Sequence, residues 1–355
     1  MAESLVESLV EVREAHWFDV AALERHLALH VDGFAGPLTV RQFQGGQSNP
    51  TYHLAAGGQE YVLRRKPPGK LLPSAHAVDR EYRVISALAA TGVPVPRTYA
   101  SCEDAGVVGT PFYIMEYVRG SVLTDPRLPG VPPAERAAIY DAMNDVLARL
   151  HLVDWKAAGL ADFGRPGNYF ARQIHRWTTQ YRASETETIP SMERLIAWLP
   201  EHIPADETTT IVHGDYRLGN MLVHPTEPRV VAVLDWELST LGHPLSDLGY
   251  NCMPYHLSED SMEGFQGGDL SELGIPSEED YLAAYCRRTG RHRIEDWGFY
   301  VGFAMFRLAA ITQGIMGRAL AGTANDPDAR ERGARTRPLA DAAWAVIELR
   351  ASHDG

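Results

Sequence analysis

The sequence has few cysteines and a shortage of positive charge. Its 355 residues include three cysteines, at positions 102, 252 and 286, and their spacing matches no metal-binding pattern. Scattered thiols are typical of small buried side chains in a reducing compartment, so we expect a cytoplasmic protein without a disulfide framework. With 33 basic and 46 acidic residues, the net charge is −13. This charge argues against nucleic acid or an anionic membrane surface as a partner.

Long uncharged apolar runs are also missing. The most apolar stretch, residues 300–321, is interrupted by Arg307, Gln313 and Arg318. Its uncharged part is too short to cross a bilayer, and no basic segment precedes an apolar run near residue 1. We therefore predict a buried helix here, with neither a secretory signal nor a membrane partner. An apolar content of 45% with 22% charged residues is enough to form a sizeable core, and it indicates no oligomeric state.

Two short apolar runs flank the most informative loop. Residues 211–223 read IVHGDYRLGNMLV, and residues 230–237 read VVAVLDWE. Asp215 lies five positions before Asn220, and Asp235 follows fifteen residues later at a predicted strand end. Asp and Asn also favour turns, which is the alternative for either half alone. Taken together, two carboxylates and an amide supply the proton acceptor and oxygen ligands that phosphoryl transfer from Mg-ATP requires.

HGDYRLGN followed by LDWE resembles the catalytic loop and metal-binding Asp of the aminoglycoside phosphotransferase and choline kinase superfamily, a relative of protein kinases. Other segments, SAHAVDREY, MEYVRG and LDWELSTLGHPLSDLGY, are more similar to the phosphotransferase-like domain fused to some acyl-CoA dehydrogenases. The resemblance extends over residues 38–318. It implies Asp215 as catalytic base, Asn220 and Asp235 as ligands of Mg²⁺, and ATP or GTP as phosphoryl donor.

The resemblance also implies a two-lobed, protein-kinase-like α+β fold. Residues 1–118 would form an antiparallel nucleotide-binding lobe with one helix, and residues 119–355 a mainly helical lobe for catalysis and acceptor binding. A meander of short strands followed by helices fits this architecture. About a dozen residues separate Asp235 from Asp247, which leaves no room for the activation and peptide-docking segments of a protein kinase.

A glycine-rich turn lies between the first two predicted strands of the meander. Gly45, Gly46, Ser48 and Asn49 belong to the sequence GGQSN, which alone is an ordinary hairpin turn. A kinase-like fold places its phosphate-covering loop at this position, where glycine lets the backbone approach phosphate oxygens. The resemblance therefore implies that these four residues bind the nucleotide.

Kinase-like folds also place a cation on the third strand and pair it with a Glu on the next helix. The resemblance implies Arg64 and Glu81 for these roles. Alternation along a strand puts Arg65 on the opposite face from Arg64. Many relatives carry Lys at this position, but Arg keeps the positive charge. Two solvated arginines and a surface Glu are the alternative.

Three further residues, Met115, Glu116 and Val118, lie where the resemblance places the adenine-binding connection between lobes. The Glu116 carbonyl and the Val118 amide would bond the base, with Met115 packed behind it. Arg217 lies where protein kinases carry a Lys that contacts the transferred phosphate; a solvated loop arginine is the alternative. His213 and Asp247 are interpreted as residues that order the loop.

The resemblance implies an acceptor that is a small molecule with a hydroxyl group, and the sequence gives two opposed cues about the charge of that acceptor. No Lys or Arg occurs between Asp235 and Asp280, whereas nine carboxylates lie between them. This acidic segment is either a solvated surface or a wall that favours a cationic acceptor. Arg307 and Arg318, in the region where relatives build the acceptor pocket, would instead bind an anionic group. The order of preference is a hydroxy-acid, hydroxyacyl compound or other metabolic alcohol, then an aminoglycoside, then a nucleotide-binding pseudokinase.

Several elements can be placed by periodicity. Asp19 is expected to cap a helix that carries Leu23 and Leu27. Gly57 and Gly58 form a two-residue hairpin turn. Asp79 or Ser74 is expected to open the next helix. Further helices are expected over residues 135–153 and 168–199, with Trp177 and Trp198 as core anchors.

Overall fold

The structure, a computed structural model, describes residues 9–44, 49–69, 77–258, 264–324 and 326–351. Within these ranges the strands are β1 Leu9–Val10, β2 Thr39–Phe43, β3 Thr51–Ala56, β4 Gln59–Arg65, β5 Thr98–Cys102, β6 Phe112–Glu116, β7 Thr210–Val212, β8 Met221–Val223, β9 Val230–Val233 and β10 Thr240–Gly242. The α-helices are α1 Val20–His30, α2 Val78–Leu88, α3 Ala105–Val108, α4 Pro133–His151, α5 Tyr169–Ser184, α6 Pro190–Trp198, α7 Leu245–Asn251, α8 Leu270–Leu273, α9 Glu278–Thr289, α10 Trp297–Leu320, α11 Ala329–Ala334 and α12 Thr336–Ala351. The predicted α+β class is confirmed.

Six strands form one antiparallel sheet in the order β1-β2-β3-β4-β6-β5. The hairpin between β3 and β4 turns at Gly57 and Gly58, whose φ angles are +57° and +77°. Two successive positive φ angles suit the right-handed twist of a tight hairpin, and glycine reaches them without a steric penalty. The predicted meander and its turn are therefore confirmed, and the turn fixes the register that sets which side chains share a face.

The first helix, α1, packs on one face of this sheet. The Asp19 carboxylate accepts hydrogen bonds from the amides of Ala21 and Ala22, so the predicted cap is confirmed. Leu23 and Leu27 are at most 1% exposed. Burying such a side chain contributes about 1.5–3 kcal/mol. Their cluster also contains these residues of the sheet and its edges: Tyr52, Leu54, Tyr61, Leu63, Phe112 and Ile114.

The second helix, α2, begins at Val78, with Ala77 at its N-cap. Asp79 lies inside the first helical turn and was wrongly predicted as a cap, whereas Ser74 lies outside the described residues. A carboxylate in the first turn still interacts favourably with the helix dipole. The buried side of α2 carries Glu81 among four apolar residues. That helix face brings a charged group into a buried position.

The chain divides into two compact units that interleave along the sequence. The first unit comprises residues 1–124, 155–161 and 218–239, and the second comprises residues 125–154, 162–217 and 240–355. The predicted lobes, 1–118 and 119–355, remain a prediction. The loop HGDYRLGN passes from the second unit to the first between Arg217 and Leu218, so its residues are described within each unit.

The second unit is mainly helical, with the short ladder of β7 and β10. The helix predicted over residues 135–153 is α4, and its inward residues Ile139, Met143 and Leu147 are at most 4% exposed. The long helix α10 is apolar enough to meet the length and composition of a membrane span, but 72% of its most apolar window is buried inside the protein. The predicted buried helix is confirmed.

The two tryptophans predicted as core anchors differ. Trp177 is 6% exposed and packs within the core of the second unit. Trp198 is half-buried, and its ring stacks on His202 with centroids 3.9 Å apart. It was wrongly predicted as a core anchor, because the neighbouring Leu199, 0% exposed, is the buried residue at the end of α6. Helical spacing identifies the face of a residue but not whether a neighbouring element covers it.

Candidate active site

Within the first unit, Arg64 lies among three carboxylates. Its Nε is 2.8 Å from Oε2 of Glu81, and its Nη2 is 2.6 Å from Oδ1 of Asp235 and 3.7 Å from Oε2 of Glu237. The side chains of Arg64 and Glu81 are 12% and 1% exposed. Distant parts of the sequence, a strand, a helix and a strand end, therefore meet at one guanidinium. Glu237 was not among the predicted site residues.

Burial and charge act in opposite directions on the pKa values of this pair. Burial alone lowers the pKa of Arg64, but the negative charges of Glu81, Asp235 and Glu237 outweigh it and raise the pKa. Burial raises the pKa of Glu81, and the charge of Asp235 acts in the same direction, while Arg64 opposes them. Arg64 remains a cation at every physiological pH. It is a fixed positive charge held in place by a buried carboxylate.

Two neutral side chains complete the hydrogen bonds of Glu81. The Asn49 amide donates to Oε1 at 2.9 Å, and the Tyr113 hydroxyl donates to Oε2 at 3.0 Å. Asn49 is fully buried, so its side chain supports Glu81; direct contact with phosphate remains a prediction. Tyr113 was missed, although it lies directly opposite Arg64 in the β4–β6 register. The predicted phosphate-binding residues Gly45, Gly46 and Ser48 lie outside the described residues.

Arg65 points to the other face of the sheet, as strand alternation requires. Its guanidinium lies 5.1 Å from the ring centroid of Phe18 and 5.4 Å from that of Tyr52. It also donates to the carbonyl oxygens of Val108 and His16. These contacts fasten the segment before α1 to the sheet. The structure thus separates a structural Arg65 from Arg64, which faces the carboxylates.

The two predicted metal ligands occupy one end of the β8–β9 ladder. Met221 pairs with Val233, which puts Asn220 and Asp235 just beyond the same pair. The amide of Leu234 donates to the carbonyl of Asn220 at 2.8 Å. Asp235 has a left-handed backbone, with φ 62° and ψ 61°. An unfavourable backbone of this kind at a non-glycine residue is typical of functional sites.

The chemistry of this donor set fits a hard divalent cation. An amide and a carboxylate provide oxygen ligands, and Mg²⁺ usually takes one or two protein oxygens together with phosphate oxygens and water. No group of three or more His, Cys, Asp or Glu residues with metal-site geometry occurs in the described part of the chain. A site completed by substrate phosphates does not need such a group. The Asp235 side chain is 33% exposed, so it is accessible to a ligand.

The predicted adenine-binding residues lie at the end of β6. Met115 is 8% exposed, Glu116 is the last residue of the strand, and Val118 follows it half-buried. Gly120 lies two residues after Val118, and a Cβ added there would lie 2.9 Å from the Leu222 Cβ. Only glycine allows the chain after β6 to approach β8 this closely. Contact of these residues with a base remains a prediction.

In the second unit, Asp247 holds the backbone of the loop that carries Asp215. Its Oδ2 accepts from the His213 amide at 2.6 Å, and its Oδ1 accepts from the Gly214 amide at 2.8 Å. His213 is fully buried, and its Nδ1 accepts from the Asp215 amide at 3.2 Å. The predicted loop-ordering contacts of Asp247 and His213 are confirmed.

The charge of Asp247 is maintained although the group is buried. Burial alone raises the pKa of Asp247, but His151, His213 and the Gly214 amide outweigh it and lower the pKa. His151 Nε2 lies 3.5 Å from the carboxylate, and its Nδ1 is 2.7 Å from the Tyr285 hydroxyl. Hydrogen bonds to an ionised acceptor are roughly twice as strong as neutral ones. Asp247 therefore fixes the loop geometry from beneath.

Asp215 itself is partly exposed, with 21% of its side chain accessible. Its Oδ2 lies 3.4 Å from Nε of Arg217, whose side chain is 52% exposed. The phenol of Tyr250 lies beside Asp215, and its pKa is raised first by burial and then by the charge of Asp215. Tyr250 was missed because a Tyr in an apolar helix is typical of a core. An accessible carboxylate on a fixed backbone is suitable as a proton acceptor.

The two arginines predicted near the acceptor are in different environments. Arg307 lies in the middle of α10 and is 6% exposed, with its guanidinium 5.5 Å from the Trp177 ring centroid and 5.6 Å from that of Tyr250. Arg318 is exposed in the last turn of the same helix. The structure places Arg307, through Tyr250, beside the Asp215 loop. Contact of either arginine with a ligand remains a prediction.

A cavity of about 1070 Å³ lies elsewhere in the second unit. Its lining includes Trp198, His202, Arg293, Asp296 and Trp297, and none of the predicted site residues. The Trp297 indole already donates to Glu278 at 2.8 Å. This cavity is therefore not the site that the sequence predicts for phosphoryl transfer.

Comparison with known proteins identifies the family of the chain. The sequence model described as the phosphotransferase enzyme family matches residues 39–297. Acyl-CoA dehydrogenase family member 10 of Mus musculus is 50% identical over 326 residues, which cover 91% of this chain and 30% of that protein. The chain spans less than half the length of the curated relatives it matches.

Solved structures show the same architecture. A protein from Ralstonia eutropha JMP134, provisionally described as an aminoglycoside phosphotransferase, is 55% identical, with a TM-score of 0.87 and coverage of 94% of this chain and 99% of that one. A thermostable mutant of aminoglycoside phosphotransferase APH(4)-Ia, in complex with ADP and hygromycin B, is 17% identical with a TM-score of 0.61, covering 92% and 98%. The latter likeness concerns the fold alone. The kinase-like fold is confirmed.

Proposed function

Because this chain belongs to the phosphotransferase enzyme family, we propose that it transfers the γ-phosphate of ATP or GTP to a hydroxyl group of a small molecule. The observation that carries the proposal is Arg64, held between the buried Glu81 and the accessible Asp235. A fixed cation beside a metal-binding carboxylate is the arrangement that phosphoryl transfer needs, since the reaction depends on positioning and on neutralising phosphate charge.

Each residue of the site has a distinct role in this proposal. Asp215 accepts the proton of the attacking hydroxyl, and Asp247 keeps the loop backbone in place beneath it. Asn220 and Asp235 hold Mg²⁺, which when bound neutralises charge on the phosphates. Arg64 contributes a second positive charge and is oriented by Glu81. Arg217 is exposed beside Asp215 and contacts the transferred group.

For the acceptor we favour a hydroxy-acid, a hydroxyacyl compound or another metabolic alcohol. Support comes from the identity of 50% to a protein named as an acyl-CoA dehydrogenase family member, which is longer and contains other segments. A second candidate is an aminoglycoside, favoured by the acidic segment between Asp235 and Asp280. A pseudokinase is less favoured, because Asp215, Asn220 and Asp235 are all present.

A thermal-shift measurement tests the proposal at the level of nucleotide binding. A ligand that binds only the folded state raises the melting temperature, so Mg-ATP or Mg-GTP should stabilise the protein. Asp235→Ala should abolish the magnesium-dependent part of the shift. Absence of any shift with either nucleotide, with and without magnesium, would remove the kinase proposal altogether.

The acceptor is then identified by turnover. Wild-type protein and Mg-ATP are incubated with aminoglycosides, amino alcohols, sugars, hydroxy-acids and hydroxyacyl thioesters, while ADP release and product mass are followed. Phosphorylation of kanamycin-like compounds at low concentration, with none of the hydroxy-acids, would favour the second candidate. Asp235→Ala provides the matched background for each acceptor.

A further inference from the structure

Arg307 is a buried cation without a counter-charge in the described part of the chain. Only 6% of the residue is exposed, and its Nε is enclosed without a hydrogen-bond partner. The described residues form neither an ion pair nor a hydrogen bond with its guanidinium. The groups that do contact it are the ring faces of Trp177 and Tyr250. Arg64, the other arginine of the site, pairs with three carboxylates by contrast.

An unpaired buried guanidinium is unfavourable, since removing a charge from water is costly unless another charge compensates it. Contacts with two aromatic faces offset part of that cost. They leave the hydrogen-bonding edge of the guanidinium without an acceptor, and that planar edge matches a carboxylate or phosphate in shape. The free protein therefore keeps a positive charge in a position that a bound anion would complement.

Arg307 is close to the predicted base. The ring centroid of Tyr250 lies 5.6 Å from the guanidinium. The charge of Asp215 contributes to the raised pKa of the same phenol, which indicates that the phenol lies beside this carboxylate. All three residues belong to the second compact unit. The side chain of Tyr250 therefore neighbours both the buried cation and the predicted base.

We propose that Arg307 is a specificity-determining residue that binds an anionic group of the acceptor, a carboxylate or phosphate, while the hydroxyl of the same molecule lies at Asp215. The proposal rests on the proposed function and narrows it to anionic hydroxy compounds. Of the two opposed sequence cues, the acidic segment and the arginines, the proposal follows the arginines, because an unpaired guanidinium would repel an ammonium group. Aminoglycosides carry several such groups and are therefore disfavoured at this site.

The wild-type protein tests this with acceptors that differ in one charge. Each isomer of hydroxybutyrate is compared with its methyl ester, its neutral N-acetylcysteamine thioester and an amino alcohol of the same chain length. We expect kcat/KM for the preferred hydroxybutyrate to exceed that for its ester by on the order of 10²-fold, since a buried charge pair discriminates strongly against a neutral partner. The amino alcohol should be the poorest acceptor.

Variants then locate the preference at Arg307. Arg307→Met should bring the acid-to-ester ratio near one, and Arg307→Lys should keep part of it, because Lys retains the charge but not the planar edge. The effect should appear in the comparison of acceptors, because the proposed contact is with the acceptor and not with the nucleotide. Arg287→Met is the matched control, an exposed arginine on α9 in the same unit.

The outcomes distinguish failure of the role proposed for Arg307 from failure of the proposed phosphotransferase function. An unchanged acid-to-ester ratio in a folded Arg307→Met, or wild-type preference for the ester, neutral thioester or amino alcohol, would overturn the role of Arg307. If Arg307→Met instead weakens ATP hydrolysis and raises KM for ATP, the residue acts on the transferred phosphate. That result would also overturn its proposed role in acceptor binding. Failure to phosphorylate any acceptor, with no nucleotide-induced stabilisation, would refute the proposed function itself. If Arg307→Met does not fold, the wild-type acceptor series still decides.

Discussion

Replacing Arg64 by Met is the perturbation to which the first compact unit should be most sensitive. The change leaves Glu81 buried at 1% side-chain exposure, without the guanidinium whose Nε lies 2.8 Å away. Asn49 and Tyr113 would still donate to it, so the carboxylate keeps two hydrogen bonds but loses its counter-charge. The variant therefore measures the cost of an uncompensated buried charge.

The expected magnitude follows from the geometry. Two unit charges 2.8 Å apart attract by about 6 kcal/mol at an effective dielectric constant of roughly 20. Part of this is offset by the cost of burying the charges, and breaking one side of such a pair typically costs about 3–5 kcal/mol. We expect Arg64→Met to lower the free energy of unfolding by about 3 kcal/mol or more at neutral pH.

Urea unfolding at several pH values is the assay, with Arg64→Met/Glu81→Gln as the compensating double variant. Burial already raises the pKa of Glu81, and loss of Arg64 raises it further. A carboxylate with a raised folded-state pKa stabilises the protein below its unfolded pKa of about 4.3 and loses that contribution as pH rises. The deficit of Arg64→Met should therefore shrink toward pH 4, and the double variant should recover stability at pH 7. A cost below about 1 kcal/mol, or one independent of pH, would contradict this account.

Three further outcomes are expected. Asp215→Asn should reduce turnover by roughly 10²–10⁴-fold while the Mg-nucleotide thermal shift stays near wild type; unchanged turnover would show that the base is misassigned. Asp247→Asn should destabilise the protein by about 3 kcal/mol at pH 7 in urea unfolding. Because the pKa of Asp247 is lowered in the folded state, this deficit should disappear as pH falls below about 4, and a constant deficit would argue against it. Arg307→Met should change the free energy of unfolding by less than about 1 kcal/mol, since loss of two cation–π contacts is offset by removal of a buried charge; a loss above 3 kcal/mol would indicate an essential structural partner.

Patterns local in sequence were sufficient for much of the fold. The period-2 and period-3.6 patterns predicted the meander, α1 and α4, and two adjacent glycines predicted the hairpin turn, because these signals depend on neighbours within a few residues. Strand alternation also placed Arg64 and Arg65 on opposite faces. The loop-holding contacts of Asp247 followed from the resemblance of its segment.

Tertiary contacts explain what the sequence did not predict. Asn49 was assigned to phosphate by its place in a glycine-rich turn, yet its side chain bonds to Glu81 on α2. Tyr113 could be placed opposite Arg64 only from the pairing register of β4 and β6, and no local sequence pattern predicts that register. Tyr250 occupies a sequence position that is typical of a core residue. Its hydroxyl lies beside Asp215 only in the folded chain, so the sequence pattern did not identify it. Trp198 had helical spacing, but it is the last residue of α6 and only half-buried, whereas the following Leu199 is buried.

The contrast between Arg64 and Arg307 bears on how a charge in the core should be interpreted. Both are largely buried, and both were predicted as site residues from their positions in the sequence. Carboxylates of the same unit neutralise Arg64. Removing Arg64 therefore leaves a buried carboxylate without its counter-charge in the free protein. Arg307 has aromatic neighbours and no ion pair among the described residues. Under the proposed role, an anionic group of the acceptor supplies the compensating charge. Arg65 also lacks a carboxylate partner, but its guanidinium donates to two backbone carbonyls. A buried cation to which the described residues give neither a counter-charge nor an acceptor, as at Arg307, is therefore stronger evidence of ligand chemistry than Arg64 or Arg65.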